Sequence, residues 1–200
     1  MACADDPAGA GGPLDDETAT ARAVDLCRAL TAGKPNEKWC GDITYVKTLG
    51  GWAYLATVSD LQSRAVVGWA IGDHVRTSLI IAALDLAITH RRPPQGVVFH
   101  SDRGRQHTSR EFAKYGKRRK LRRSLGRTGI CYDCETESFF ASYRKELIHT
   151  RPWPDIKLLK RGTLTWIEEY YNRTRRHSTL GYLTPAEYEL GYKDIHELAV

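Results

Sequence analysis

Three acidic residues occupy positions where a carboxylate calls for a reason. Asp42 lies inside the run WCGDITYV, Asp102 follows directly on the apolar Val97–Val98–Phe99 in VVFHSDRGRQHTS, and Glu137 sits in ETESFFASYRKEL. Runs of β-branched and aromatic residues read as buried strands, so the first two carboxylates stand at the edge of a core. If those strands are neighbours in a sheet, the two side chains meet at one site, and carboxylates that close repel unless a cation separates them. Ligands that are all oxygen suit Mg²⁺ or Mn²⁺. Two such ions about 4 Å apart stabilise both the attacking and the leaving oxygen in phosphoryl transfer. Glu137 would be a third ligand, with Glu135 as a rival on the same segment. Taken singly, Asp102 also reads as a turn-capping residue, and Glu137 as a solvent-facing helix acid. Arg144, seven residues after Glu137, falls on nearly the same helical face and suits a phosphate backbone.

The elements that must position these residues follow from hydrophobic periodicity. Strand-like runs cover Lys38–Lys47, Trp52–Ser59 and Ala65–Ile71, separated by the turns Leu49–Gly50–Gly51 and Asp60–Leu61–Gln62–Ser63, which makes an antiparallel meander. Thr77–Thr89 reads as a helix with a broad apolar face around Leu79, Ile80, Ala83, Leu84 and Ile88, ended by Arg91–Arg92–Pro93–Pro94. A strand reached across a helix favours a parallel neighbour, so Val97–Phe99 is expected to lie parallel to an earlier strand. Thr108–Tyr115 reads as a short helix and Leu121–Leu125 as a short strand. Glu135–Ile148 reads as a helix with Phe139, Phe140, Tyr143 and Leu147 facing the core. Asp155–Tyr171 reads as another, with Trp166, Ile167 and Tyr170 inward, and Thr184–Leu190 begins a last one. The class is α/β: a mixed five-stranded sheet flanked by helices. Trp39, Trp52 and Trp69 are assigned to core packing. The expected organisation is an N-terminal extension over residues 1–34 (disordered or a short helix within residues 16–31), a core over 35–175, and a tail with a short helix over 176–200.

Composition narrows the partners. The chain has 200 residues and a formal net charge of +6, distributed unevenly. Residues 1–37 carry an acidic excess, whereas from Arg103 to Arg127 basic residues crowd together with Glu111 as the one acid among them. Such a run is either a solvated basic face or a surface for a polyanion, and nucleic acid is the natural partner. Arg103, Arg105, Lys117 and Arg118 are its candidate DNA contacts. Tyr170–Tyr171–Asn172–Arg173 and Arg175–Arg176–His177 interleave aromatics with arginines, which suits DNA contact through Arg173 and Arg176 as well as a packed aromatic face with a basic end. No apolar run approaches the roughly 20 residues of a membrane span. The N-terminus has the acidic composition opposite to a signal peptide, so a cytoplasmic, nucleoid-associated protein is expected. Five cysteines at irregular spacing read as free thiols. Cys131-x-x-Cys134 has the spacing of half a zinc site, without a matching second pair.

In order along the chain, WCGDITYV, GWAYLATVSDLQSRAVVGWAI, FHSDRG, TESFFASYRKELI and YYNRTRRHSTLGYLTPAEYE resemble the motifs of the integrase-core transposases of bacterial insertion sequences, the IS-three type. The resemblance covers about residues 35–190. It implies a ribonuclease-H-like fold and an Asp-Asp-Glu triad, carried onto Asp42, Asp102 and Glu137 through GDITY, HSDRG and ESFF. It also implies two Mg²⁺ or Mn²⁺ ions, cleavage of a phosphodiester at an element end, and attack of the freed 3′-hydroxyl on another DNA strand. Multimers on paired DNA ends are expected too. Three departures stand out. The stretch Cys131–Ser138 is one residue shorter than the family pattern, and Cys134 replaces its Asn. A helix-turn-helix region does not precede the core, which calls for a separate helix-turn-helix protein of the same element. A truncated remnant that binds DNA and cannot cut it is the alternative reading.

Overall fold

The computed structural model describes residues 32–102, 105–125 and 134–197. The proposed helix within residues 16–31, Arg103, and Cys131 lie outside them. Five strands form one sheet in the order β3-β2-β1-β4-β5. β1 (Lys38–Thr48), β2 (Gly51–Asp60) and β3 (Val66–Gly72) form the antiparallel meander. β4 (Val98–Ser101) pairs parallel with β1, and β5 (Arg122–Leu125) parallel with β4. The mixed sheet and the parallel β1–β4 pairing agree with the sequence reading. The cause is the helix α1 (Thr77–Arg91), which carries the chain across one face before β4.

The two faces of the sheet are covered by different helices. On one, Leu79, Ile80, Ala83, Leu84 and Ala87 of α1 pack with Trp39, Val58 and Phe99, joined by Phe112 and Tyr115. The last two come from α3 (Arg110–Arg118), which follows the single turn α2 (Arg105–Thr108). Ser109 caps α3 by accepting the amide of Phe112 at 3.2 Å. On the other face, Phe139, Phe140 and Tyr143 of α4 (Cys134–Glu146) pack with Leu159 of α5 (Ile156–Thr165), Trp166, Ile167 and Tyr171 against Val46, Leu55 and Trp69. Leu147, expected inward, is only partly buried.

Two expectations about aromatics are corrected. Trp52 is 52% exposed, not core. It lies near the tip of the β1–β2 hairpin, opposite the exposed Lys47 and outside the cluster that α1 forms on the sheet, and its ring meets that of Tyr45 edge to face. Tyr170 is exposed and Tyr171 is buried in its place. After Thr165 the helix widens into a π-helical stretch, Trp166–Tyr171, with the amide of Asn172 donating to the carbonyl of Ile167. The wider turn rotates the next side chains away from a 3.6-residue register, which brings Tyr171 to 4.9 Å from the Phe139 ring.

The C-terminal segment is tied to the sheet. The Asn172 side chain brackets the backbone of Val66, accepting its amide at 2.9 Å and donating to its carbonyl at 3.0 Å. In α6 (Pro185–Glu197), longer than the Thr184–Leu190 expected, Glu189 accepts from Ser63 and pairs with Arg91. His177 packs its ring 5.0 Å from Tyr171. Its burial, together with the charges of Arg175 and Arg64, holds the imidazole down at about 4. The folded pKa lies below the unfolded one, so the neutral ring stabilises the fold above about pH 6.5, and that contribution is lost as pH falls toward 4. Expected outcome: wild type loses more Tm than His177→Asn between pH 7 and 4.5, compared in parallel melts.

Candidate active site

β1 is long and β4 is short, and that mismatch makes the site. β1 keeps β2 as a partner from Trp39 to Thr48 but has β4 only from Lys38 to Gly41, where Gly41 faces Ser101. The next residue on each strand is an acid. Asp42 and Asp102 therefore stand side by side where the sheet opens. Strand side chains alternate, so Asp42 shares the face of Cys40, Thr44 and Val46, the side on which α4 packs, while the Asp102 carboxylate, just past the end of β4, turns to His107. Both acids line one pocket of about 180 Å³ with Thr44, Tyr54, Val75 and His107 among its walls. The approach of the two strands depends on Gly41: a Cβ there would stand 2.3 Å from the Phe99 ring. Gly41→Ala is expected to lower stability by about 1–3 kcal/mol through overpacking, read as a fall in Tm.

Each acid is held from its own side. Asp42 is half-buried and accepts the amide of Ile43 at 2.7 Å. The side chain of Asp102 is 54% exposed, yet its Oδ1 lies 2.8 Å from Nδ1 of the buried His107. The ring of His107 lies among Phe99 and Phe112, with centroids 6.2 and 5.8 Å away. Its carbonyl accepts Arg123 Nη2 at 2.6 Å. Burial pushes the Arg123 guanidinium below its ordinary value, and it lies over the Phe112 ring at 5.3 Å. Arg123, one member of the basic run, thus braces the interior.

Glu137 is placed differently. It is exposed on α4 and is not among the residues lining the pocket. Among the described residues, no three His, Cys, Asp or Glu side chains converge as a metal cage. α4 is nevertheless clamped beside the acids: Arg144 Nη2 donates to Thr44 Oγ1 at 2.6 Å, and Thr44 lines the pocket two residues from Asp42. Residues 126–133, which set where α4 begins, lie outside the described residues, as do the side chains of Cys134 and Glu135.

The basic candidates separate into groups. Arg144 stands beside the acids, and Arg105 opens α2 just after Asp102, its side chain outside the described set. Lys117 and Arg118 are exposed at the C-terminal end of α3. α3 runs back along β4, and Lys120 already pairs with Gly96 ahead of β4, so these two residues sit at the end of the strand remote from Asp102. Nearby Arg119 is paired with Asp85. Arg173 and Arg176 are exposed near the β3 edge, across the sheet from β4, while Arg175 bonds Glu146 and Ser142.

Reading the sequence missed His107, Thr44 and Arg123 as parts of the site. The signal for His107 was present: it follows Asp102 by five residues across a glycine.

Comparison with known proteins agrees with this geometry. An integrase core domain model matches residues 32–131, and a second model described as integrase core domain matches residues 134–185. Transposase InsF for insertion sequence IS3A of Escherichia coli (strain K12) is 43% identical over 160 residues, 79% of this chain and 55% of that protein. The transposase for insertion sequence element IS629 of Shigella sonnei is 36% identical over 166 residues, 82% of this chain and 55% of that protein. The chain thus spans about half the length of these relatives. Among solved structures, the HTLV-2 integrase catalytic core domain in complex with magnesium (trimeric form) superposes with a TM-score of 0.61 at 18% identity, covering 80% of this chain and 99% of that one. A simian T-cell lymphotropic virus intasome chain gives 0.59 at 21% identity, covering 72% and 51%. These likenesses give the fold, the ribonuclease-H-like sheet of integrase catalytic cores, and with the matched domain models they establish that the chain belongs to the integrase core domain family.

Proposed function

We propose that this chain is the catalytic domain of an insertion-sequence transposase, carrying out metal-dependent DNA strand cleavage and strand transfer. The observation that carries the reading is the meeting of Asp42 and Asp102 where β1 and β4 part. Two oxygen-donor side chains on rigid strands, at the mouth of a small open pocket, fit a hard divalent cation such as Mg²⁺ or Mn²⁺. Asp42 and Asp102 would hold it, with Glu137 as the third ligand. Bound ions would supply charge stabilisation to the attacking and leaving oxygens of a phosphodiester.

The chain's own residues do the positioning. Arg144, fixed by Thr44, lays a guanidinium beside the acid pair for a DNA phosphate. Arg103 and Arg105, which follow Asp102 in sequence, serve the same strand. Lys117, Arg118, Arg173 and Arg176 belong to more distant DNA-binding surfaces, suited to the length of an element end or a target duplex. The relatives, transposases and an intasome, support DNA as substrate and assembly into multimers. A separate helix-turn-helix protein of the same element is the further partner proposed.

One observation favours a second reading, a remnant that binds DNA without cutting it: Glu137 is exposed and outside the acid pocket. Strand transfer separates the two. The chain is given Mn²⁺ or Mg²⁺, a pre-nicked oligonucleotide with a free 3′-hydroxyl, and a plasmid target, beside Glu137→Gln. Joined product that depends on metal and vanishes in Glu137→Gln supports the catalytic reading. DNA binding without joining at any metal concentration supports the remnant.

A further inference from the structure

We propose that His107 is a positioning residue that holds Asp102 in the orientation needed to bind a divalent cation; this rests on the reading of Asp102 as a metal ligand. A carboxylate can only accept, so the 2.8 Å approach of His107 Nδ1 to Asp102 Oδ1 requires the hydrogen on Nδ1. The other ring nitrogen, Nε2, is buried and has no hydrogen-bond partner among the described residues. The Nδ1 hydrogen of the imidazole is therefore directed at the carboxylate.

The ring itself cannot turn. It is 2% exposed and wedged against Phe99 and Phe112, and Arg123 holds its backbone carbonyl. Asp102 is the opposite case. It stands just beyond the last residue of β4 and is more than half exposed. A buried, immobile donor on one oxygen sets the carboxylate plane and leaves the second oxygen directed away from the ring. Supporting bonds of this kind set the geometry of metal ligands, and losing one weakens metal affinity about 10–100-fold.

The aromatic surroundings favour an apolar ring at this position. A phenyl group would satisfy the packing and avoid burying a bare nitrogen, so packing alone does not account for an imidazole there. That contrast supplies a test with readouts other than activity. Mn²⁺ affinity, followed by the loss of the free-ion paramagnetic resonance signal, and Tm are measured on the full chain for wild type, His107→Phe, His107→Asn and Asp102→Asn. Asparagine places an amide N–H near the position of Nδ1.

The expected pattern is an about 10–100-fold weaker Mn²⁺ affinity in His107→Phe with Tm equal or higher, and recovery of most of the affinity in His107→Asn. Affinity in His107→Phe equal to wild type, with Asp102→Asn impaired, overturns the positioning role and leaves the metal site standing. Wild type that binds no Mn²⁺, or Asp102→Asn that binds it as wild type does, overturns the site and the positioning role together. Ring ¹⁵N shifts check the geometry without metal: hydrogen on Nε2 in place of Nδ1 also overturns the proposal, whatever the folding of the variants.

Discussion

Asp42→Asn and Asp102→Asn are each expected to abolish the proposed metal-dependent cleavage and joining, with a rate at least about 10³-fold below wild type, while the fold survives. The size follows from what a bound cation supplies: several kcal/mol of stabilisation to oxygens that gain charge during phosphoryl transfer, where each ~1.4 kcal/mol is a factor of ten in rate. An amide is neutral and a poor ligand for a hard cation. The fold is spared because the local hydrogen bonds persist. The amide oxygen introduced by Asp42→Asn still accepts the backbone N–H of Ile43, and the one introduced by Asp102→Asn still accepts from His107. In the absence of metal, removing one of two adjacent negative charges also relieves their repulsion, so Tm without metal is expected unchanged or raised. Joining assays and melts of the same preparations check both halves. Full activity in either variant would remove that residue from the site.

The second large effect concerns the helix that carries Glu137 and Arg144. Phe139→Ala is expected to cost about 3–5 kcal/mol of stability, which for a chain of this size lowers Tm on the order of 10 °C. Phe139 is 2% exposed and lies at the centre of an aromatic cluster, its ring 5.3 Å from Phe140, 6.1 Å from Tyr143, 5.7 Å from Trp166 and 4.9 Å from Tyr171. Truncation would open a cavity between α4 and the π-helical stretch that neither can close, because Tyr143 is also fixed by its hydroxyl, 2.7 Å from that of Thr163. Thermal melts measure the loss. Trp52→Ala provides the contrast: that ring is exposed at a hairpin tip, and its removal is expected to change stability by less than about 0.5 kcal/mol. Below the melting range, weaker anchoring of α4 also loosens the Arg144–Thr44 clamp, so joining by Phe139→Ala should fall more steeply with temperature than joining by wild type.

Much of this was legible in the chain itself because it is local. Alternation in WCGDITYV and the apolar run before His100 mark strands, and the helical spacing of Leu79, Ile80, Ala83 and Leu84 marks the crossover that makes β4 parallel to β1. Those patterns repeat every two or 3.6 residues, and burial acts on each residue directly. They suffice to place Asp42 and Asp102 on strands and to expect a parallel partner for β4, the tertiary structure making that partner β1, and the motifs around the acids suffice to name the family.

What the chain could not decide was everything that depends on where an element stops. Asp42 and Asp102 meet because β4 ends at Ser101 while β1 runs on to Thr48, and strand length is settled by what packs above and below. Tyr171 replaced Tyr170 in the core because a π-helical turn rotated the register. Trp52 was left in solvent because the buried cluster under α1 does not extend to its position on β2. The basic run from Arg103 to Arg127 looked uniform in sequence, yet the fold turned Arg123 inward behind His107, paired Arg119 with Asp85, and carried Lys117 and Arg118 to the far end of the sheet. Charge has no periodicity of its own, so its direction is assigned only when the helices and strands bearing it are packed.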